Sequence, residues 1–397
     1  MRVIGFMKKT VKKRLWFTLL AAVFLFGMAG CGGQGATQTS GGSNNKEKIV
    51  KIGVIIAETG PASTLGHTQV NTVKLMQKQL DQQGGINGTK VQLIMQDYET
   101  NDTKAVIAMD KLISQGVAAV IGATQTSTTM AILPKAVQAN IPLLTIAPVT
   151  TDKENVYALA HSSTTVISPI VEYLVKHNIK KVAWMNARDA FGVIGLPAFK
   201  ELAKQNGIEV VAHEEFDATA SDMTVQLTNI RKANPEALIV WSRTPGAGIV
   251  ARNFKSLGFT IPMLQSTAAA NKGFIEQVQG NSDNIFVVGS KLSVADQLPE
   301  SDQKKRLLAF RDLYAKEYGE EPDLFAAHVY DGIQLLIEAV KAGKTTANDI
   351  RNFLNNEIGE YPAVAGTLDL TKPLNGPKAD GLTVLRIENN QWKYQQQ

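Results

Sequence analysis

The chain has 397 residues, more than one hydrophobic core usually supports, so two lobes are predicted. Its 41 Lys and Arg against 36 Asp and Glu give a net +5, but Arg2, Lys8, Lys9, Lys12, Lys13 and Arg14 all precede residue 31 and no acid does. Taking those six charges from +5 leaves −1, which excludes a basic footprint for nucleic acid.

The first 30 residues read as a secretory signal. A basic segment ends at Arg14, and an uncharged apolar run follows from Leu15 to Ala29, too short for an ordinary spanning helix. Met28–Ala29–Gly30–Cys31 resembles a bacterial lipobox, with Met28 where Leu is more usual. Cys31 is the only cysteine, so no internal disulfide can form. A lone cysteine is commonly a buried structural residue, but one directly after a signal is predicted to carry lipid. Diacylation there would supply the two-chain anchor that stable membrane attachment needs. Residues 31–47, rich in Gly, Ser, Thr and Asn, then form a flexible tether. The expected location is extracytoplasmic, on the outer face of a bacterial cell membrane or in the periplasm.

From Lys51 apolar runs alternate with amphipathic segments. Ile52–Ile56 reads as a buried strand; Val70, Val73, Met76 and Leu80 have helical spacing that should stop at Gly84–Gly85. Val91–Met95 is the next strand. Asn101 or Asp102 can cap a helix whose face is Ala105, Met109, Leu112 and Ile113, with Gly116 past its end. Val117–Ile121 and Ile141–Ile146 are further strands. A second series begins near Val166, with strands at Val182–Met185, Val210–Phe216, Leu238–Trp241, Pro262–Leu264 and Ile285–Val288. Helices fit at Leu196–Asn206 and Met223–Lys232 between them. Leu324–Val340 is apolar enough for a core helix, and Gly366–Leu370 with Leu382–Ile387 reads as a hairpin-like pair. Strands alternating with helices predict α/β lobes with parallel, doubly wound sheets.

Between Val117–Ile121 and the helix opening at Met130–Leu133 lie six residues, Thr124 to Thr129, five of them hydroxylated. A strand that feeds a helix through such a loop aims free N–H groups and hydroxyls at one spot, a natural seat for a carboxylate. The helix terminus favours an anion by roughly 0.3–1 kcal/mol, up to about 2 when partly buried. Ser and Thr also favour helix caps and polar turns, and the stretch alone is open to either reading.

Enzyme signatures are lacking. There is no Gly-x-Gly-x-x-Gly, no Walker loop and no Gly-x-Ser-x-Gly elbow. His67, His161, His177, His213 and His328 are scattered without metal-ligand spacing, and a strand end followed by a helix cap explains Asp97, Glu99 and Asp102. Neither cofactor nor metal is expected.

The chain resembles the type I periplasmic binding proteins, in the leucine/isoleucine/valine-binding branch of ABC-transporter receptors. The likeness runs from about Ile49 to the C-terminus. It is carried by Lys51–Ile52–Gly53–Val54, Thr59–Gly60–Pro61, Leu65–Gly66, Gly84–Gly85–Ile86–Asn87–Gly88, Val120–Ile121–Gly122 with the hydroxyl loop, and Ile141–Pro142–Leu143–Leu144. Asp189–Ala190–Phe191–Gly192, Pro245–Gly246 and Tyr330–Asp331–Gly332 complete it. No single motif is sharp; their order and spacing are.

The resemblance implies two lobes joined by a three-segment hinge, 48–163 plus 292–361 and 164–291 plus 362–397, with crossovers near Ser163–Val166, Gly289–Leu292 and Tyr361–Gly366. It implies a monomeric receptor that encloses a small solute and delivers it to an ABC permease and its ATPase. By the same likeness, the hydroxyl that contacts a ligand carboxylate falls on Thr126 or its neighbour Ser127. Donors from the next strand fall on Ala147 and Thr150, shifted by Pro148–Val149, and a second-lobe aromatic falls on Phe191, where tyrosine is common. The acid that holds an ammonium group in branched-chain receptors falls on Thr267, which carries no charge.

Three residues have two readings each. Glu58 could replace that acid or be a solvated loop carboxylate. Arg243 could pair with a carboxylate or lie on the surface, and Trp241 could pack on a ligand or be structural. The expected ligand is a branched-chain type amino acid or related small carboxylate. A non-amino organic acid, an amide or a ligand-sensing role is the alternative.

Overall fold

The computed structural model describes residues 48–372, 374 and 376–395, so the leader, Cys31 and the tether lie outside the described residues. The first sheet is built from β1 (Lys48–Ile56), β2 (Thr89–Asp97), β3 (Ala119–Gly122), β4 (Leu143–Thr145) and β5 (Val156–Ala158). All pairs are parallel, in the order β2-β1-β3-β4-β5. The helices α1 (Ser63–Gln82), α2 (Asp102–Ser114) and α3 (Thr126–Gln138) link them. Local chemistry sets their ends. Asn101 caps α2 by accepting from the Lys104 N–H at 3.0 Å, and Gly116 follows with φ +71°. All four residues of β3 are buried, as a strand covered by helices on both faces requires.

The chain then runs through α4 (Ser163–Lys176), capped by Ser162, into a second sheet. Its elements are β6 (Lys181–Ala187), α5 (Gly195–Gln205), β7 (Glu209–Phe216), α6 (Thr224–Lys232), β8 (Ala237–Trp241), α7 (Gly246–Ser256), β9 (Met263–Gln265), α8 (Lys272–Val278) and β10 (Ile285–Ser290). The parallel part has the order β7-β6-β8-β9-β10, the same winding as the first sheet.

From β10 the chain returns through α9 (Asp302–Tyr318), α10 (Leu324–Lys341) and α11 (Ala347–Asn356). Val329, Ile333, Leu336 and Val340 of α10 share one core with Val70, Val73, Met76 and Leu80 of α1. Burying each such side chain is worth about 1.5–3 kcal/mol. α9 is shared between neighbours: Tyr318 Oη donates to the Asn71 carbonyl at 2.7 Å, whereas Leu307, Phe310 and Tyr314 join the cluster of Trp184 and Phe199.

The last stretch corrects an expectation. Gly366–Leu370 does not pair with Leu382–Ile387. Instead β12 (Thr367–Asp369) pairs antiparallel with β11 (Glu360–Pro362), while β13 (Leu382–Glu388) adds antiparallel to β10 and then to β14 (Gln391–Tyr394). The first four residues of β13 are all buried, so it needs cover on both faces and finds it inside the second sheet, between β10 and β14, rather than in a lone hairpin. The second sheet is therefore mixed. In that final passage the Asp331 carboxylate of α10 accepts from the N–H groups of Val364 and Ala365, both at 2.8 Å.

Candidate ligand-binding site

In an open parallel sheet, ligands bind beyond the carboxyl ends of the strands where the winding reverses. The first sheet reverses between β1 and β3, the second between β6 and β8. A cavity of about 110 Å³ is lined by the loops after β3, β4 and β5 from one sheet and after β6, β8 and β9 from the other. An apolar cavity on the order of 150 Å³ accommodates a benzene-sized molecule. Close backbone approach builds the walls. A Cβ on Gly66 would meet the Ala57 carbonyl at 1.8 Å, and one on Gly195 would meet the Trp241 ring at 2.6 Å.

The hydroxyl loop divides its labour. Thr124 Oγ1 accepts from the Ala57 N–H at 3.0 Å and donates to Gln69 at 2.7 Å, tying the loops after β1 and β3 together. Thr129 Oγ1 accepts from the Ala123 N–H, and Thr128 donates to Asp102 at 2.5 Å. Ser127 reaches the same Asp102 oxygen at 3.4 Å. Among the described residues, the Thr126 hydroxyl is committed to no protein partner, and it lines the cavity with Ser127. α3 begins at Thr126, and its N-cap, Gln125, makes no side-chain cap. Of the two readings of this stretch, the helix cap does not apply at Gln125: among the described residues the first-turn N–H groups take no side-chain partner beside the cavity.

Asp189, after β6, holds the Arg243 guanidinium, after β8, at 2.7 Å; both are partly buried, at 26% and 20% exposure. The other Asp189 oxygen accepts from the Gly192 N–H at 2.8 Å. With its amide oxygen facing the guanidinium, Gln125 accepts from Arg243 Nη2 at 3.2 Å and Nε at 3.3 Å, joining the two sides of the cleft. Phe191 stacks on Trp241 with centroids 5.4 Å apart, and Trp241 stacks on Trp184. The indole N–H of Trp241 donates to the Phe191 carbonyl at 3.1 Å, so this buried Trp backs the wall and Phe191 is its face.

The N-terminal turn of α10 supplies Leu324, Phe325 and His328, and the loop after β5 supplies His161. The two imidazoles are 6.0 Å apart, buried, and among the described residues neither has a hydrogen-bond partner. Burial pushes His161 down to about 4 and His328 well below its ordinary range, so both are neutral.

Of the residues singled out from the sequence, Thr126, Ser127, Ala147, Phe191, Trp241, Arg243 and Thr267 line the cavity. Glu58 and Thr150 do not. Glu58 is turned to solvent beside Lys74 at 3.5 Å, and Thr150 is exposed, two residues beyond the lining Pro148. The sequence reading missed Gln125, Asp189, His161, Phe325 and His328. Asp189 had a signal, since it follows β6 as Arg243 follows β8, and these strands flank the winding reversal.

The model of the family described as periplasmic binding protein matches residues 49–391. The chain belongs to that family. It is similar to the leucine-, isoleucine-, valine-, threonine- and alanine-binding protein of Pseudomonas aeruginosa, at 19% identity over 79% of this chain and 84% of the relative. It is also similar to Leu/Ile/Val-binding protein homolog 1 of Brucella abortus, at 21% over 88% and 92%. Among solved structures, an extracellular ligand-binding receptor from Rhodopseudomonas palustris superposes with a TM-score of 0.80 at 24% identity, covering 87% of this chain and 99% of that one. The branched-chain amino acid transporter substrate binding protein of Streptococcus pneumoniae, solved with isoleucine, gives 0.76 at 23%, covering 87% and 98%. These likenesses establish the type I fold. The protein is a solute-binding protein rather than an enzyme, and its family works outside the cytoplasm.

Proposed function

We propose that this binding protein is the receptor of an ABC importer and takes a small solute with a carboxylate head and an apolar body. The observation that supports this best is the uncapped N-terminus of α3, with the free Thr126 hydroxyl, opening on a cavity between two winding reversals. A carboxylate there gains from free N–H groups and from the helix dipole. Leu65, Phe191 and Phe325 offer the body an apolar lining. Branched-chain amino acids and plain organic acids both meet that description.

The proposal extends to the rest of the molecule. The lobes 48–163 plus 292–361 and 164–291 plus 362–397 close on the solute about three crossovers, a hinge motion of the kind known for such receptors. The protein is held as a monomer to the outer face of the cell membrane, or in the periplasm, by lipid on Cys31. The test is a thermal-shift screen of amino acids and organic acids. A ligand at about 100 times its Kd adds roughly 2.7 kcal/mol of stability. If amides or sugars shift the melting temperature and no carboxylate does, the reading is wrong.

A further inference from the structure

We infer that the ligand is a carboxylate without an ammonium group, an organic acid rather than an α-amino acid; this rests on the carboxylate seat proposed above. The ground is the distribution of charge around the cleft. Among the described residues, Asp189 is the carboxylate that lines the cavity. It is matched by Arg243 at 2.7 Å on one oxygen and by the Gly192 N–H at 2.8 Å on the other.

Neighbouring acids are committed elsewhere. Glu58 lies off the lining beside Lys74, and Asp97 accepts from the N–H groups of Glu58, Thr59 and Glu99 and from the Thr59 hydroxyl. Asp102 lies beside the first turn of α3 but off the lining, and takes the hydroxyls of Thr128 and Ser127. Asp323 takes the Thr68 hydroxyl and the Ala326 N–H. Thr267 is neutral, and so are both cleft histidines.

Position matters as much as number. With its amide oxygen turned to the guanidinium, Gln125, the residue immediately before Thr126, accepts from Arg243, which places the guanidinium near the α3 N-terminus. An α-ammonium is one carbon away from its carboxylate. Seating the carboxylate on α3 therefore brings the ammonium toward the positive helix terminus and toward an ion pair whose carboxylate is already held on both oxygens. It would be desolvated there with no free carboxylate to meet it. A plain acid, or one with an α-hydroxyl, escapes this conflict and uses the same seat.

The experiment is titration calorimetry on the purified full chain with matched pairs: leucine against 4-methylpentanoate, and phenylalanine against 3-phenylpropanoate. In at least one pair, the acid lacking the amino group should bind at least tenfold more tightly. Arg243→Gln removes the nearby cation and releases Asp189, and should narrow that ratio at least fivefold; Arg243→Met serves if the first variant does not fold. If the des-amino acid reaches a tenfold preference in neither pair while some acid binds, the inference is overturned and the carboxylate seat stands. A ratio unmoved in both variants also overturns it, since the guanidinium would then not discriminate. If no acid binds at millimolar concentration, with or without an ammonium group, the carboxylate seat itself is wrong and the inference falls with it.

Discussion

The Asp331 carboxylate holds the backbone N–H of Ala365 at 2.8 Å, and its second oxygen holds that of Val364 at the same distance. A helix of the core is thereby fastened to the chain as it heads for β13. Burial raises the Asp331 carboxyl to about 7, although both N–H groups pull the other way. Asp331→Ala orphans two buried donors, at about 1–3 kcal/mol each. The expected outcome is a clear fall in the urea midpoint, smaller for Asp331→Asn, which keeps one acceptor. A midpoint within error of wild type for Asp331→Ala would show that the contact holds nothing.

Two neighbouring threonines should behave oppositely. Thr126 lines the cavity with a free hydroxyl, whereas Thr128 is bound to Asp102 at 2.5 Å. A hydrogen bond to a charged group is worth about 1.5–3 kcal/mol, so Thr126→Ala should weaken carboxylate binding roughly tenfold to over a hundredfold. Its unfolding should stay close to wild type. Thr128→Ala should lower stability and leave affinity within about threefold. Calorimetry and thermal melts on both variants separate the roles; equal affinity loss in both would mean that the loop acts only as a scaffold.

Much of the fold was legible because apolar runs and helical spacing are local properties. Val182–Met185 and Leu238–Trp241 emerge inside β6 and β8, and Asn101 marks the start of α2 as its chemistry requires. Pairing is a different matter. Nothing near Leu382 in sequence says that its partner is Ser290, and three-residue β5 is too short to show a period. The cleft follows the same division. Most strand ends named in the sequence lead into loops that line the cavity, but side-chain direction decided that Glu58 faces solvent and that the Gln125 amide lies against Arg243. His328 arrives from α10, more than a hundred residues beyond most of the lining, and His161 from the loop after β5, the strand that went unseen.

Cys31 is expected to be the mature N-terminus and to carry lipid, on the strength of Met28–Ala29–Gly30–Cys31 at the end of the signal. Mass spectrometry of protein extracted from membranes should find a diacylated N-terminal cysteine, and Cys31→Ser should release the protein from the membrane. A wild-type chain that is processed yet soluble and unmodified would sink the idea.

The buried histidines predict how stability varies with pH. His161 is held near 4 and His328 well below its usual value, both through burial. An unfolded chain protonates its histidines near about 6.5. Between about pH 6.5 and 4 the unfolded state therefore binds more protons, and stability falls as pH falls. Each histidine can contribute about 1.4 kcal/mol per pH unit across that window. Asp323, raised to about 6 by burial, and Asp331, raised to about 7, act in the opposite direction. In the folded chain they bind protons that the unfolded chain releases above about 4, so acid stabilises through them. The wild-type slope is the difference between these effects, and variants isolate its parts. From about pH 7.5 to about pH 5, His328→Leu should lose less stability than wild type, or gain more. Asp323→Asn should lose more. Urea midpoints at the two pH values decide it; a His328→Leu slope parallel to wild type would mean that this imidazole takes up its proton in the fold as readily as in water.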